Sequence, residues 1–501
     1  PFPYYTFMDY SLLERKTFLS GDTNVVVDRV TRCISFAQNG SCVSVDVDER
    51  VAETIRARMR DRGGDAQISD VERILMRMDD KDAYINAPLM FNRLKDYANS
   101  GSVVSTSELP LVYQTMNPLV SEDAKPIGQR ATSKLVTNEA VFAGDTYNND
   151  VACVKGRVTR VMNRVNPPRI YERYAREFVQ YLVPDEIAGK GVPLDAAEVV
   201  AIQSKPMQVA RSKEVRPTMS VLATNRLKAF IKKEAYPATN DPRNITTCSA
   251  DLTIQMSRYT LAEKQDVLKH LNWYGPCKTP TQVCEVLQDI ASHQEPLFMS
   301  DFSRFDGTIS AFLQNAIVKA SSMRWVCEAE KATVEHLYSR VFVKRAVTAN
   351  GFRYDPGWGT RSGSPITTDG NTKINGFITY CANRILGMEP RDAWERLCTY
   401  SIKCGDDGVE VNVNGLDVAV ASVSMDLGLS LKSEIAPVNT PVVYCGRIFP
   451  DIWTTTTSFQ DPVRTLPKLH LSANAGVTRE QAAFNKAAGY IVTDRNTPII
   501  G

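Results

Sequence analysis

A chain of 501 residues, 43% hydrophobic and 23% charged, is long enough for several subdomains and has the composition of a globular protein. A formal charge of only +2 excludes a chain that is basic throughout, so any nucleic-acid site has to be a local patch. Eleven cysteines without a CxxC pair, and four histidines, argue against zinc ligation of the usual spacing and point to a reducing compartment.

The chain opens "PFPYYTF" without a methionine, which suggests a fragment or a processed product. It carries no signal-peptide pattern, and no apolar run approaches the roughly 18 residues of a membrane span. The most apolar stretch, Leu416 to Leu431, is broken by Asp417 and Asp426. Residues 1–150 hold no readable motif and are expected to form an N-terminal extension. Within them, the mixed charges of 46–83 predict exposed helices joined by Gly63-Gly64.

Two basic runs follow. In 155–176, Lys155, Arg157, Arg160, Arg164, Arg169, Arg173 and Arg176 meet only Glu172, with Glu177 just beyond. In 205–243, nine Lys and Arg residues meet Glu214, Glu234 and Asp241. Such runs are solvated faces as often as grooves. Upstream of a carboxylate cluster they suit an RNA backbone, with Arg160, Arg164, Lys205 and Arg211 as candidate phosphate contacts. Within the second run, "IKKEAYPATNDPRNI" places Lys232, Lys233 and Arg243 in a proline-broken strand-and-loop stretch, where cations could reach a triphosphate and Arg could do so bidentately.

From about residue 296 short apolar strands alternate with helical stretches, an α+β pattern. In "PLFMSDFSRFDGTIS", Leu297 to Met299 read as a buried strand with Asp301 at its end, leading through a loop to the helical "ISAFLQNAIVKASSM". In "GTRSGSPITTDGNTKINGFITYCANRILG" a flexible loop precedes a helix that runs through Phe377, Ile378, Cys381 and Ile385. Thr367 and Asn371, four apart, share a face of it. Helix capping accounts for one of them but not for both. "YSIKCGDDGVEVNV" reads as a hairpin, with Asp406 and Asp407 at its turn and a half-buried strand beyond. Alone, Gly-Asp-Asp-Gly is an ordinary turn. A strand end beside a hairpin tip can bring Asp301 and Asp406 together, at a cost unless a cation lies between them. Oxygen-only ligation suits Mg²⁺ or Mn²⁺, and a pair of such ions is a common device for in-line phosphoryl displacement.

In this order the elements resemble the right-hand RNA-directed RNA polymerases of positive-strand RNA viruses. The K-x-E and R-x-I element appears as Lys232-Lys233-Glu234 and Arg243-Asn244-Ile245. D-x4-D appears as Asp301 to Asp306, S-G-x3-T-x3-N as Ser362-Gly363, Thr367 and Asn371, and G-D-D as Gly405-Asp406-Asp407. "LSLKSE" after Gly428 resembles the next motif, with Lys432 its lysine, and "YCGRIF" fits the one after in place, with a looser sequence. The match spans about 205–450, and "DFSRFDGTIS", "IKKEAYPATNDPRNI" and "PPRIYERYAREF" look most like nodavirus replicases of the Flock house virus type.

The resemblance implies an α+β right hand with an antiparallel palm sheet packed on helices. The blocks would be an N-terminal extension (1–150), fingers (151–290), palm with finger insertions (291–440) and a short thumb (441–501). It implies Asp301 and Asp406 as principal ligands of two Mg²⁺ or Mn²⁺ ions, with Asp407 ancillary. Asp306 and Asn371, with Ser362 and Thr367 near, would read the ribose 2′-hydroxyl. Arg243 and Lys232 or Lys233 would grip the triphosphate, and Lys432 would protonate pyrophosphate. Implied partners are viral RNA template and product, ribonucleoside triphosphates, other copies of the replicase, and membrane-anchor and capping regions upstream. The implied location is a replication complex in the host cytoplasm, on the outer mitochondrial membrane. The rival readings are a reverse transcriptase, against which Asp306 and Asn371 argue, and a polymerase-derived RNA-binding or assembly protein without chemistry.

Overall fold

The computed structural model describes residues 13–14, 23–28, 33–38, 41–62, 66–81, 83–84, 86–88, 90–91, 111–113, 128–136, 140–203, 206–219, 227–236, 239–413 and 415–500. They form two compact units, each assembled from separated stretches of chain. Lys205 and the Gly63-Gly64 linker lie outside the described residues.

The first unit takes the described residues up to Gly156, then Ile231–Arg243 and Pro462–Thr493. Strands Leu13–Glu14, Thr23–Asp28, Cys33–Gln38 and Ser41–Asp48 form an antiparallel sheet in chain order. The expected helices are Glu49–Arg62 and Ile68–Arg77. Their charged residues mostly face out, while Ala52, Ile55, Met59, Val71 and Leu75 close a small core of their own. Distant ladders explain why the unit is discontinuous: Val141–Ala143 pairs with Ala235–Tyr236, and Gln129–Arg130 with Leu471–Ser472. Local sequence carries no trace of such pairings, so the units cut across the blocks 1–150, 151–290, 291–440 and 441–501.

The second unit holds Arg157–Phe230, Asn244–Asp461 and Asp494–Gly501. At its centre is a four-stranded sheet in the order Ser401–Cys404, Asp407–Val411, Leu297–Phe302, Leu431–Ala436. All three pairings are antiparallel. Period-two alternation sends Leu297 and Met299 to one face, where they meet Val283, Leu287, Val409 and Val442. Phe298 and Phe302 go to the other face and join the main core with Phe377, Tyr380 and Val423. The sheet is therefore covered on both faces. This corrects the half-buried reading of 409–413: Glu410 lies 1% exposed and pairs with the equally buried Lys403 at 3.0 Å.

Helix Thr367–Ile385 runs through the main core and is buried all round from Asp369 to Asn383. Helix Leu416–Asp426 ends at Gly428, whose φ of +71° makes a left-handed C-terminal cap, with the Leu429 N–H bonded to the Ser424 carbonyl at 2.8 Å. Among the described residues no helix is long and apolar enough to cross a membrane.

Candidate active site

The site is built at one end of the central sheet. Cys404 pairs with Asp407, so the hairpin turn consists of Gly405 and Asp406 alone. Gly405 takes φ +63°, as the first residue of a primed two-residue turn does. Gly408 serves a different need. A Cβ there would come within 2.6 Å of the Ser300 hydroxyl and 2.8 Å of the Lys403 ammonium. One glycine thus makes the turn, and the other leaves room for the buried ion pair beneath it.

Ser300 is the partner of Gly408. Continuing that register by one residue sets Asp301 level with Asp407, with Asp406 at the turn tip. The register therefore gives Asp407 a place facing Asp301, whereas the sequence reading treats it as ancillary. On the other side Asp301 is the direct partner of Lys432. Both side chains are exposed, and no ion pair joins them.

After Asp301 the chain reverses through Arg304, which takes a left-handed φ of +53°, an uncommon conformation for a non-glycine residue. The reversal brings Asp306 to helix Thr367–Ile385, where Asn371 Nδ2 donates to Asp306 Oδ1 at 2.6 Å. Asn371 Oδ1 accepts from the Thr360 hydroxyl at 2.9 Å, and Thr360 accepts from Gln314 Nε2 at 3.1 Å. The Thr360 N–H also holds the Asp306 carbonyl at 2.7 Å. One Asn371 N–H is thus committed to Asp306, leaving its second for another acceptor.

Ser362 and Thr367 are occupied otherwise. The Ser362 hydroxyl donates to the Asn244 carbonyl at 2.9 Å and accepts the Thr246 N–H at 3.2 Å, docking the loop on strand Asn244–Thr247. The Thr367 hydroxyl bonds the carbonyls of Arg361 and Ser364 at 2.7 and 2.9 Å, closing the loop as the helix starts. Arg361 shapes the same loop from inside. Its guanidinium reaches the carbonyls of Val341, Pro356, Gly357 and Gly359, and burial pulls its pKa down to about 10.

The basic residues divide between the units. Lys232, Lys233 and Arg243 belong to the first. Lys232 and Arg243 both pair with Glu234, at 2.8 and 3.5 Å, and the Lys232 N–H bonds the Arg243 carbonyl at 2.8 Å. In the second unit Arg160 and Arg164 lie exposed in an irregular segment after the π-turn Lys155–Thr159. Arg211 is exposed on helix Pro206–Val215 and donates to the Cys248 carbonyl at 3.3 Å.

Asp301, Asp406 and Asp407 offer only carboxylate oxygen, and no described residue gives the Asp301 side chain a hydrogen bond or ion pair. That donor chemistry fits Mg²⁺ or Mn²⁺. Among the described residues no three His, Cys, Asp or Glu side chains stand gathered as a closed metal cage. The fit therefore rests on donor type and strand register.

The sequence reading missed Thr372 and Asn375. The Thr372 hydroxyl accepts the Gly405 N–H at 2.9 Å, and Asn375 Nδ2 lies 3.1 Å from both the Gly405 and Asp407 carbonyls. Their one signal is the three-residue spacing of the polar side chains Asp369, Thr372 and Asn375 along the helix. Gln314 and Thr360 left no local signal, since their partners come from other elements.

Residues 230–430 match the family described as viral RNA-dependent RNA polymerase. The RNA-directed RNA polymerase of Pariacoto virus is 44% identical over 500 residues, covering 100% of this chain and 51% of that one. That of Pieris rapae virus is 36% identical over 498 residues, covering 98% and 49%. Nodamura virus has a counterpart 34% identical over 355 residues, covering 69% and 33%. The chain spans about half the length of the first two relatives. A solved RNA-dependent RNA polymerase of a human picorbirnavirus matches 69% of each chain with a TM-score of 0.53 and 12% identity, which establishes likeness of fold, the right hand of these enzymes. In sequence and in fold, the chain belongs to the viral RNA-dependent RNA polymerases, on the nodavirus side of that family.

Proposed function

We propose that this chain carries the catalytic region of an RNA-directed RNA polymerase, joining ribonucleoside triphosphates on a viral RNA template. The observation that carries the reading is the central sheet, in which Asp301 and the Gly405–Asp407 turn lie on neighbouring antiparallel strands. In the reaction the primer 3′-hydroxyl oxygen attacks the α-phosphorus. A new P–O bond forms as the α–β bridging bond breaks, the hydroxyl proton passes to water, and pyrophosphate departs. Two divalent ions, when bound, would supply the Lewis acidity for this exchange, with Asp301, Asp406 and Asp407 to hold them. Asp306 and Asn371 orient the ribose, since a 2′-hydroxyl both donates and accepts and the pair offers a carboxylate and an N–H. Lys432, opposite Asp301, delivers a proton to the departing pyrophosphate. By resemblance, Arg243 and Lys232 or Lys233 would grip the triphosphate, and Arg160, Arg164 and Arg211 would bind RNA phosphates.

Resemblance alone supports a setting in a replication complex on the outer mitochondrial membrane, with further replicase copies and with anchor and capping regions elsewhere in the parent protein. Fractionation of cells that express the parent protein tests that placement. The activity is tested by incorporation of labelled ribonucleotides and deoxyribonucleotides on a primed RNA with Mg²⁺. Template-dependent extension with ribonucleotides is expected. RNA binding without extension favours the assembly-protein reading, and equal use of deoxyribonucleotides favours a reverse transcriptase.

A further inference from the structure

A two-residue turn centred on glycine is soft, because Gly405 has the widest backbone freedom of any residue and the ladder stops at Cys404 and Asp407. Three main-chain groups that flank Asp406 are nonetheless held from outside the sheet. The Gly405 N–H goes to the Thr372 hydroxyl, and the Gly405 and Asp407 carbonyls go to the Asn375 amide. Thr372 and Asn375 are three apart and so share a helix face.

That face has a rigid base. Between the two lies Lys373, which is buried and ion-paired to Glu263, with the Ser321 hydroxyl at 2.9 Å from its ammonium. One turn earlier, Asp369 takes the Tyr274 hydroxyl at 2.5 Å and the Lys264 ammonium at 3.0 Å. These contacts fix the rotation of the helix about its axis, and with it the place where Thr372 and Asn375 meet the turn.

We propose that Thr372 and Asn375 are positioning residues that clamp the turn on both sides of Asp406, so that its carboxylate is presented to a divalent cation in one orientation. The inference rests on the polymerase reading of the site and assigns these two residues a task within it. Neither touches substrate. They act through the main chain of the turn, as outer-shell partners act on a metal ligand.

The test is Mn²⁺ binding to the full 501-residue chain without nucleotide, followed by the electron paramagnetic resonance signal of the free ion. Thr372→Val removes the acceptor at nearly constant shape, and Asn375→Leu removes the donor. Each is expected to weaken Mn²⁺ binding roughly tenfold, while Thr372→Ser, which keeps the hydroxyl, stays within about twofold of the parent. Thermal unfolding is measured alongside, because a residue that only braces the core lowers Tm and leaves metal affinity alone. Should Asn375→Leu fail to fold, the Thr372 pair decides. Parental affinity in the folded variants, with Asp406→Asn weakened, overturns the clamp and leaves the metal reading standing. Parental affinity in Asp406→Asn as well overturns both.

Discussion

Asp301 and Lys432 stand directly opposite each other on adjacent antiparallel strands, yet no ion pair joins them. Cross-strand partners point to the same face of a sheet, so carboxylate and ammonium share a face without neutralising each other. Asp301 is thereby left available to a cation, and Lys432 to a leaving group. If Lys432 gives up a proton during turnover, Lys432→Leu should lower kcat by about a hundredfold with little change in Tm. Lys432→Arg should be nearly as slow, because a guanidinium keeps its proton. Full activity in the Arg variant would leave Lys432 with a charge role only.

Asp306 and Asn371 make the sugar prediction. Their 2.6 Å hydrogen bond joins a carboxylate and an amide beside the strand end that carries Asp301. An incoming deoxyribonucleotide leaves the second Asn371 N–H without the 2′-oxygen as acceptor, at about 1–3 kcal/mol, or roughly tenfold to a hundredfold in selectivity. Asn371→Ala or Asp306→Ala should narrow the ribo/deoxyribo ratio of kcat/KM, chiefly by slowing ribonucleotide use. A proportional loss with both sugars, at an unchanged ratio, would make the pair a brace and nothing more.

The basic residues should separate by task. Arg243→Ala is expected to raise the KM for nucleotide more than it weakens RNA binding. Joint replacement of Arg160 and Arg164 by Ala should do the reverse. It should also flatten the salt dependence of RNA affinity, by about one unit of slope for each phosphate that is no longer neutralised. Identical profiles from the two sets would remove the distinction between triphosphate steering and template binding.

The buried pair Lys403–Glu410 predicts a stability effect. Both side chains are almost fully buried, and the Thr379 hydroxyl also reaches Glu410 Oε1 at 3.3 Å. Lys403→Met strands the Glu410 carboxylate and should cost about 3–5 kcal/mol in urea unfolding. Lys403→Met combined with Glu410→Leu should recover most of that loss, since a well-packed apolar pair is often as stable as the ion pair it replaces. A single variant as stable as the parent would mean that the pair is hydrated.

Much of the site was legible in the sequence because it depends on local signals. Leu297 to Met299 read as a strand ending at Asp301, and the helix through Phe377 to Ile385 read as a helix. What was not legible depends on register and on distant partners. The level of Asp407 opposite Asp301 follows from a turn of two residues, and the four-residue motif does not specify where the ladder ends. Lys403 and Glu410 look like outward-facing residues of a half-buried strand. Only the helices behind the sheet turn that face into an interior. Thr367 looks like a partner of Asn371, yet its hydroxyl closes the preceding loop, and Thr372 and Asn375 meet the turn instead. A helical face can be read from spacing, but the choice of which face meets which turn is made by the whole core.

The central claim is that Asp301 and the Asp406 turn form the catalytic centre of a template-directed polymerase. The most direct measurement is Mg²⁺-dependent ribonucleotide incorporation on a primed RNA by the parent chain, Asp301→Asn and Asp406→Asn, each purified and matched in Tm. A neutral amide cannot hold a divalent ion as a carboxylate does, so both variants should lose at least roughly a hundredfold in rate while still binding RNA. Near-parental extension by either folded variant would contradict the account.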